Sequence, residues 1–568
     1  MKNIKKASFI IILTTIISRI TGFIKEILIA NYFGTSVLAD IIIIATRLPN
    51  LFRRIFGEGA MSQVFIPIYC TLEQLSKKIF LHKIFILLFL STSIISLLLS
   101  LFMGDLFFFI APGIIESHIK DLAILSSQIS VFYLIFICLT SLFGAVLNSE
   151  QKFFAFGIMP IIPNITIAIL LIFTSYFHIQ KENLVILINI NFLVSGILQL
   201  IFIIFSAKKH NIEINIKIIK NFFLIHKQQN NLNINLDQQT KINKQDKFQN
   251  IVIYQKNIIS KFQILDIFSN LYKKLKTNYN LVKKSLFFDL TMQNFFKNFI
   301  IVSFSNLSMQ INIFIAQAIA SLVEGCIAIL SYADRIYQLP ISIISVTLNT
   351  ILLPIFSNKQ SSIENKNNIL IGIVIISAPI MFGLSVISNL VTSFIYQRGA
   401  FSITDTIKTS ESLSYFAYSL LGFVLMRVIF SMFYADQNTK APAFINIYYI
   451  VINTIINYIL IDKFEHLAAP ISNIISTYTA LIYLIIAANK KLYIKITYQF
   501  LFNLTRCIFA ALLMYYILLY LIKKYLIFIM ETKIIILISI FTIIIIGFIV
   551  YFLTLILIWP QVLKFIKK

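Results

Sequence analysis

Apolar runs of roughly 20 residues recur from one end of this chain to the other, and that pattern removes most folds from consideration. A helical run of that length spans a bilayer's hydrocarbon core, and a helix satisfies every backbone N–H and C=O where no water is present. The other spanning structure, a closed β-barrel, needs period-two alternation in segments of about 10 residues, whereas the runs here are continuous. The expected fold class is an all-α polytopic membrane protein, and 58% hydrophobic residues with a mean hydropathy of +0.88 accord with it. The first run, from about Ala7, lacks a small-residue cleavage site and carries Arg19 in its middle, so it is expected to stay as a helix rather than be removed as a signal peptide.

About 14 candidate transmembrane helices begin near residues 7, 36, 84, 123, 155, 183, 291, 324, 367, 408, 441, 466, 500 and 533. Lysines concentrate at the N-terminus, in alternate loops (Lys77, Lys78, Lys152, Lys208, Lys209, Lys359, Lys440, Lys490, Lys491) and at the C-terminus, which predicts that both termini are cytoplasmic. The net charge of +25 is therefore read as orientation rather than as a nucleic-acid surface. Residues 208–289 hold fifteen lysines against five acids amid Asn and Gln, the composition of a basic, low-complexity cytoplasmic linker.

That linker divides two stretches that resemble one another. Leu48-Pro49 followed by Phe65-Ile66-Pro67-Ile68 finds an echo in Leu339-Pro340 followed by Leu353-Pro354-Ile355-Phe356, and LNSEQKFFAF at 147–156 in ADQNTKAPAF at 435–444. The offsets are nearly constant. An even number of spans separates the copies, so the repeats should be parallel, related by an axis along the membrane normal. The expected organisation is an N-terminal six-helix lobe at 1–207, the linker at 208–289, a C-terminal six-helix lobe at 290–490 and two extra transmembrane helices at 491–568.

Against this apolar background, the stretch from Ser18 to Gln63 places Arg19, Lys25, Arg47, Arg53 and Arg54 opposite only Glu26, Asp40 and Glu58. A basic residue at mid-bilayer costs about 2.5–3.5 kcal/mol even on the gentler insertion scale, so such a cluster must face water or an anion. On a helix Arg19, Gly22 and Glu26 share a stripe, which would let Glu26 partly neutralise Arg19. Leu48-Pro49-Asn50 is expected to interrupt the second helix, with Gly57, Gly59 and Pro67 as further weak points, making this segment a candidate bending element. The second lobe adds Asp334 and Arg335, which point about 100° apart, and Arg427 in mid-span.

Arginine suits phosphate because its planar fork makes paired charge-assisted hydrogen bonds and stays ionised. Catalytic patterns are missing: there is no HExxH, GxSxG or Walker sequence, and the histidines at 82, 118, 178, 210, 226 and 466 are scattered. Cys70, Cys138, Cys326 and Cys507 have no metal spacing and read as small core hydrophobes. No metal or cofactor is expected. Without a nucleotide site, transport would draw on the membrane potential, a monovalent ion gradient or the substrate's own gradient.

SRITGFIKEILIANYFG, LADIIIIATRLPNLFRRIFGEGAMSQVFIPI, SYADRIYQLP and TILLPIFS resemble the lipid II flippases of bacterial cell-wall synthesis, within the multidrug/oligosaccharidyl-lipid/polysaccharide exporter superfamily. The resemblance implies a two-lobed carrier in the bacterial inner membrane. It would move a polyprenyl-diphosphate-linked peptidoglycan precursor to the outer leaflet by alternating access, with membrane lipids around it and the cell-wall synthesis machinery as an implied partner. It assigns Arg19, Lys25, Asp40, Arg53 and Arg335 to the substrate cavity, with Glu26, Pro49, Asn50, Arg54, Glu58 and Asp334 supporting it. The family usually has arginine where this chain has Lys25, which keeps the charge and loses the fork. The two extra helices would hold the polyprenyl tail. A flippase for another polyprenyl-diphosphate glycan, a multidrug exporter and a membrane-embedded lipid-diphosphate transferase are the alternatives; the transferase would need an acid, base or metal site opposite the arginines. Deletion of residues 228–280 is expected to leave rescue of a flippase-depleted bacterium intact, scored by colony formation.

Overall fold

A computed structural model describes residues 2–54, 61, 63–115, 119–210, 212, 290–357, 363–436, 438–491, 493–495, 497–529 and 532–562. The first group of helices is α1 (Lys2–Phe33), α2 (Val37–Phe52), α3 (Ile66–Thr71), α4 (Gln74–Leu101), α5 (Met103–Ile110), α6 (Pro112–Ile115), α7 (Lys120–Val131), α8 (Tyr133–Ser149), α9 (Phe153–Ile158), α10 (Ile161–Thr174) and α11 (Lys181–Lys209). The second is α12 (Leu290–Ala320), α13 (Cys326–Ser357), α14 (Ile363–Tyr396), α15 (Ile403–Ala435), α16 (Lys440–Phe464), α17 (Ala468–Lys490), α18 (Tyr498–Ile529) and α19 (Lys533–Ile558), with a 3-10 turn at Glu465–Leu467. The protein is an all-helical polytopic membrane protein. Among the described residues, 9 helical stretches are long and apolar enough to cross a membrane, and one of them, Lys440–Lys490, comprises α16 and α17. Glu58, Gly57 and Gly59, and nearly all of the expected 208–289 linker, lie outside the described residues; Lys208 and Lys209 finish α11.

Two local departures from the sequence reading have physical reasons. The expected break at Leu48-Pro49-Asn50 is absent, since α2 runs through a buried Pro49 and ends at Phe52, where residues 53 and 54 take a wider turn. A proline removes only its own N–H, and nearby side chains reinforce the helix: the Asn50 amide donates to Thr46 O at 2.8 Å and the Thr46 hydroxyl to Ile42 O at 2.8 Å. Cys138, Cys326 and Cys507 are buried as core residues, but Cys70 is exposed on the short α3.

In the first group α11 lies against α7, α8 and α10, and α1 packs on α9 and α10. Stacked Tyr133 and Phe192 rings, 4.1 Å apart, and buried polar pairs such as Ser130–Asn189 at 2.7 Å join these helices. In the second group α15 is central, flanked by α13, α14 and α17, while α18 and α19 pack on α14. Small hydroxyl residues let helices approach and supply bonds between them: Asn453 donates to Ser472 and Ser476, both at 3.2 Å, between α16 and α17. The two echoing segments fall at corresponding places, the α8–α9 turn and the α15–α16 turn.

The groups meet along a seam closed most tightly at the end that carries the α1–α2 turn, called here the Gly34 end. There Ala400 N–H donates to Asn31 O at 2.8 Å and the Tyr332 hydroxyl to Gly34 O at 3.2 Å, so backbone from one group touches backbone and side chain of the other. Such approach requires glycine. Gly34 sits at φ +57°, and a Cβ on it would stand 2.6 Å from Ala400 O; Gly325 sits at φ +70°, and a Cβ there would collide with Thr35 O. The seam also has an apolar part. α12 crosses it, setting Met292, Phe295 and Phe299 into a core with Phe65, Phe80 and Leu142, while its far end packs Ile315 and Ile319 against Ile461 and Ala468.

Gly325→Ala should therefore lower the thermal unfolding midpoint in detergent, with a loss on the order of 1–3 kcal/mol for a strained, crowded position. Gly372→Ala, where nothing lies within 4 Å of the added carbon, should leave the midpoint unchanged or raise it.

Candidate functional site

The charged residues of α1, α2 and α13 gather below the Gly34 end. At a helical rise of about 1.5 Å per residue, Lys25 lies about 12 Å along α1 from Phe33, Arg47 about 15 Å along α2 from Val37, and Arg335 about 14 Å along α13 from Cys326. Antiparallel and parallel helices thus bring the three cations to one level. Arg19 and Arg53 lie deeper, at about 21 and 24 Å.

Arg335 anchors the site. Its Nε donates to Glu26 Oε2 at 2.5 Å and its Nη2 donates to Glu26 Oε1, so the fork of α13 grips a carboxylate of α1 across the seam. The Arg335 side chain is 46% exposed and that of Glu26 14%. This corrects the expectation that Glu26 neutralises Arg19: seven residues along one helix separate the two by about 10 Å, whereas α13 brings its arginine into contact. Arg19 Nη1 instead donates to Ser342 Oγ at 2.5 Å, two turns further along α13 on the stripe of Arg335.

Arg47 makes a second crossing, donating from Nη1 to Gln317 Oε1 at 3.0 Å and from Nη2 to Ser331 Oγ at 3.1 Å. Arg54 reaches Gln310 Oε1 at 3.4 Å. Lys25 is half-buried within electrostatic reach of Glu26, Arg335 and Arg53. Arg53 is likewise half-buried. Asp334 accepts from Gln338 on its own helix and lies within electrostatic reach of Arg47 and Arg335. Asn50 bonds back to its own helix, and Pro49 is buried beside it. Among the described residues around this level, Arg19, Lys25, Arg47, Arg53, Arg54 and Arg335 outnumber Glu26 and Asp334, and Gln317 and Gln310, which Arg47 and Arg54 reach on α12, are neutral.

Asp40 is set apart from this group. It is 1% exposed and accepts the Ala328 N–H at 2.6 Å, in the first turn of α13. That N–H has no partner within its own helix, and a carboxylate also complements the positive end of the helix dipole. Asp40 therefore clasps α2 to α13 in this structure, with no open face toward the cationic cleft. Asp405 works similarly at the start of α15: Oδ2 accepts the Ser402 N–H at 2.8 Å to complete a capping box, and Oδ1 accepts the Thr35 hydroxyl across the seam.

Sequence reasoning missed Thr35, Asp405, Gln310, Gln317, Ser331 and Ser342, and counted Arg47 in the cationic cluster without assigning it to the substrate cavity. The signal was present as a seven-residue spacing of polar positions, since Arg19–Glu26 on α1, Asp40–Arg47 on α2, Gln310–Gln317 on α12 and Arg335–Ser342 on α13 each mark one helical stripe.

Over residues 29–232 and 262–552 the sequence matches the family described as "Lipid II flippase MurJ". The chain belongs to that family. Among its relatives, the probable lipid II flippase MurJ of Rickettsia prowazekii (strain Madrid E) is 34% identical over 541 residues, covering 92% of each chain. That of Aquifex aeolicus (strain VF5) is 28% identical over 491 residues, covering 85% of this chain and 83% of the other. Among solved structures, one described as "Lipid II flippase MurJ, inward closed conformation" aligns with a TM-score of 0.70 at 23% identity, covering 98% of this chain and all of the other. An inward-facing MATE family multidrug resistance transporter of the MOP superfamily aligns with a TM-score of 0.57 at 11% identity, over 84% of this chain and 96% of the other, so the MurJ-family chain shares its fold. Membership places the chain among transporters rather than enzymes.

In a double-mutant cycle of Glu26→Gln and Arg335→Gln, read by thermal unfolding of the purified protein, the two changes should couple by about 1–2 kcal/mol, as expected for residues in direct contact. Arg19 with Glu26 should give no coupling.

Proposed function

We propose that the chain carries lipid II, a lipid-linked peptidoglycan precursor, from the inner to the outer leaflet of a bacterial cytoplasmic membrane, holding its diphosphate in the cationic cleft between the two groups of helices. The observation that carries this reading is the Arg335 fork, gripped by Glu26 from the opposite side of the seam amid a surplus of positive charge. A diphosphate presents the same paired oxygens as Glu26 with more negative charge, so it competes for the fork and relieves the repulsion among the cations.

On this reading the helices form fourteen spans: six-helix lobes at 1–207 and 290–490 in parallel pseudo-repeat, a cytoplasmic linker at 208–289 and two further helices at 491–568. Both termini face the cytoplasm and the Gly34 end faces outward. Lipid II comes from the cytoplasmic side while the Gly34 end is shut. Displacing Glu26 from Arg335 then loosens the strongest side-chain tie between α1 and α13. What remains at the Gly34 end is a set of hydrogen bonds, including Asn31–Ala400, Gly34–Tyr332, Thr35–Asp405 and Asp40–Ala328, together with the apolar packing of Phe33 and Ile41 in one cluster with Tyr332, Tyr396 and Phe401. Each hydrogen bond contributes on the order of 1 kcal/mol, and the anion shifts the population to an open state to the extent that its tighter binding there offsets these bonds and the apolar contacts. α12, seated in the first group at its Leu290 end and in the second at its Ala320 end, is the element that must move to change access at the opposite side. The polyprenyl tail stays in lipid beside α18 and α19, whose outward faces carry large apolar side chains such as Phe509, Tyr516, Phe541 and Phe548. An exporter of cationic drugs would need the opposite charge in the cleft.

Complementation of a flippase-depleted bacterium tests this. Arg335→Ala should abolish rescue, and Arg335→Lys should restore it only weakly because the charge is kept and the fork lost. Full rescue by a well-inserted Arg335→Ala protein would remove the diphosphate contact from the account.

A further inference from the structure

Tyr396, the last residue of α14, is 0% exposed, yet its hydroxyl has no hydrogen-bond partner. A buried polar group in that state carries its full desolvation penalty, so native structures retain few of them. Rings on three sides fix its place. The Tyr396 ring centroid lies 5.0 Å from that of Tyr332 on α13, 5.6 Å from that of Phe401 in the turn before α15, and 6.3 Å from that of Phe23 on α1. Tyr396 therefore bridges the two groups of helices, with its phenol held in one orientation.

The same rings set its level. Phe23 is three residues before Glu26 on α1, and Tyr332 three before Arg335 on α13. Because α1 runs toward the Gly34 end and α13 away from it, these rings stand about 4.5 Å to either side of the level of the Glu26–Arg335 pair. A ring that touches both lies beside the pair, and Glu26 and Arg335 are both within electrostatic reach of the Tyr396 hydroxyl. The neighbouring phenol of Tyr332 is already committed, donating to Gly34 O at 3.2 Å. That of Tyr396 still has a hydrogen to offer.

Resting on the lipid II reading, we propose that Tyr396 is a further substrate-binding residue, whose hydroxyl donates to the diphosphate when it replaces Glu26 on the Arg335 fork and so favours the diphosphate over the resident carboxylate. The difference lies in the number of acceptors. Glu26 brings two oxygens, and the fork engages both. A phosphate brings a third and a diphosphate more, so the phenol gains an anionic acceptor that it lacks in the free protein. Glu26 and the diphosphate compete for one guanidinium, and a contact made by only one of them decides the preference.

The test uses the full-length chain in nanodiscs, with a short-chain lipid II analogue as the probe, and reads both Kd and the thermal unfolding midpoint of the ligand-free protein. Tyr396→Phe removes the hydroxyl and keeps the ring. It should weaken binding about tenfold, the loss expected for one hydrogen bond to a charged group. The ligand-free midpoint should stay unchanged or rise, because no bond is lost and an unpaired hydroxyl is removed. Tyr332→Phe supplies the contrast: it deletes a bond present in the free protein and should lower the midpoint. Wild-type affinity in Tyr396→Phe overturns the proposal, as does a lowered midpoint or failure of that variant to fold, since either would mean that the hydroxyl already serves the free protein. Failure of the wild-type chain to bind the analogue at all would instead sink the lipid II reading, and this inference with it.

Discussion

Positive charge held at membrane depth without enough negative charge to match it is the constraint on which the structure depends. Each guanidinium below the Gly34 end must be kept from hydrocarbon by a polar partner. Arg19, Arg47 and Arg54 reach Ser342, Gln317, Ser331 and Gln310 on α12 and α13, while Glu26 receives Arg335 in return. The cationic side chains of α1 and α2 are thus among the groups that tie the two groups of helices together. Any anion bound among them must alter the relation between the groups, because it competes for bonds that cross the seam.

The Gly34 end is built to close without becoming permanent. Glycines at 34 and 325 let backbones meet where a Cβ would not fit, and carboxylates at 40 and 405 each satisfy a helix start while bridging the seam. A helix terminus offers N–H groups already oriented and lacking partners, so these bridges form without burying a further uncompensated group. Buried apolar residues of both groups meet here as well, with Phe33, Ala39 and Ile41 in one cluster with Ala328, Tyr332, Tyr396 and Phe401, so opening this end also exposes apolar surface. The apolar crossing by α12 differs in kind: it buries whole aromatic side chains, tolerates sliding and depends little on charge.

Much of this was legible in the sequence. Hydrophobic runs marked where most helices begin, with Val37, Lys181, Leu290, Cys326, Lys440, Tyr498 and Lys533 all within two residues of the expected starts, because bilayer thickness imposes a length that composition reveals. The cationic cluster was also visible, since charge within such runs is costly. Pairing was not. Glu26 was matched to Arg19 on its own helix because periodicity reports which residues share a face, while the facing helix that carries Arg335 is set by tertiary packing. Pro49 misled for a related reason: a missing N–H weakens a helix, but buried packing and the bonds of Thr46 and Asn50 keep α2 continuous. Asp40 looked like a cavity acid because nothing local shows that Ala328 will come within 2.6 Å of it.

The central claim is that binding an anion in the cationic cleft releases the Gly34 end. Spin labels at Ser36→Cys and Ile403→Cys, both exposed and on opposite sides of that seam, report it directly by pulsed electron–electron distance measurement in nanodiscs. The account predicts one short, narrow distance in the free protein and a second, longer population when lipid II is added, lost again on Arg335→Ala. An unchanged distance distribution at a lipid II concentration that saturates binding would contradict it.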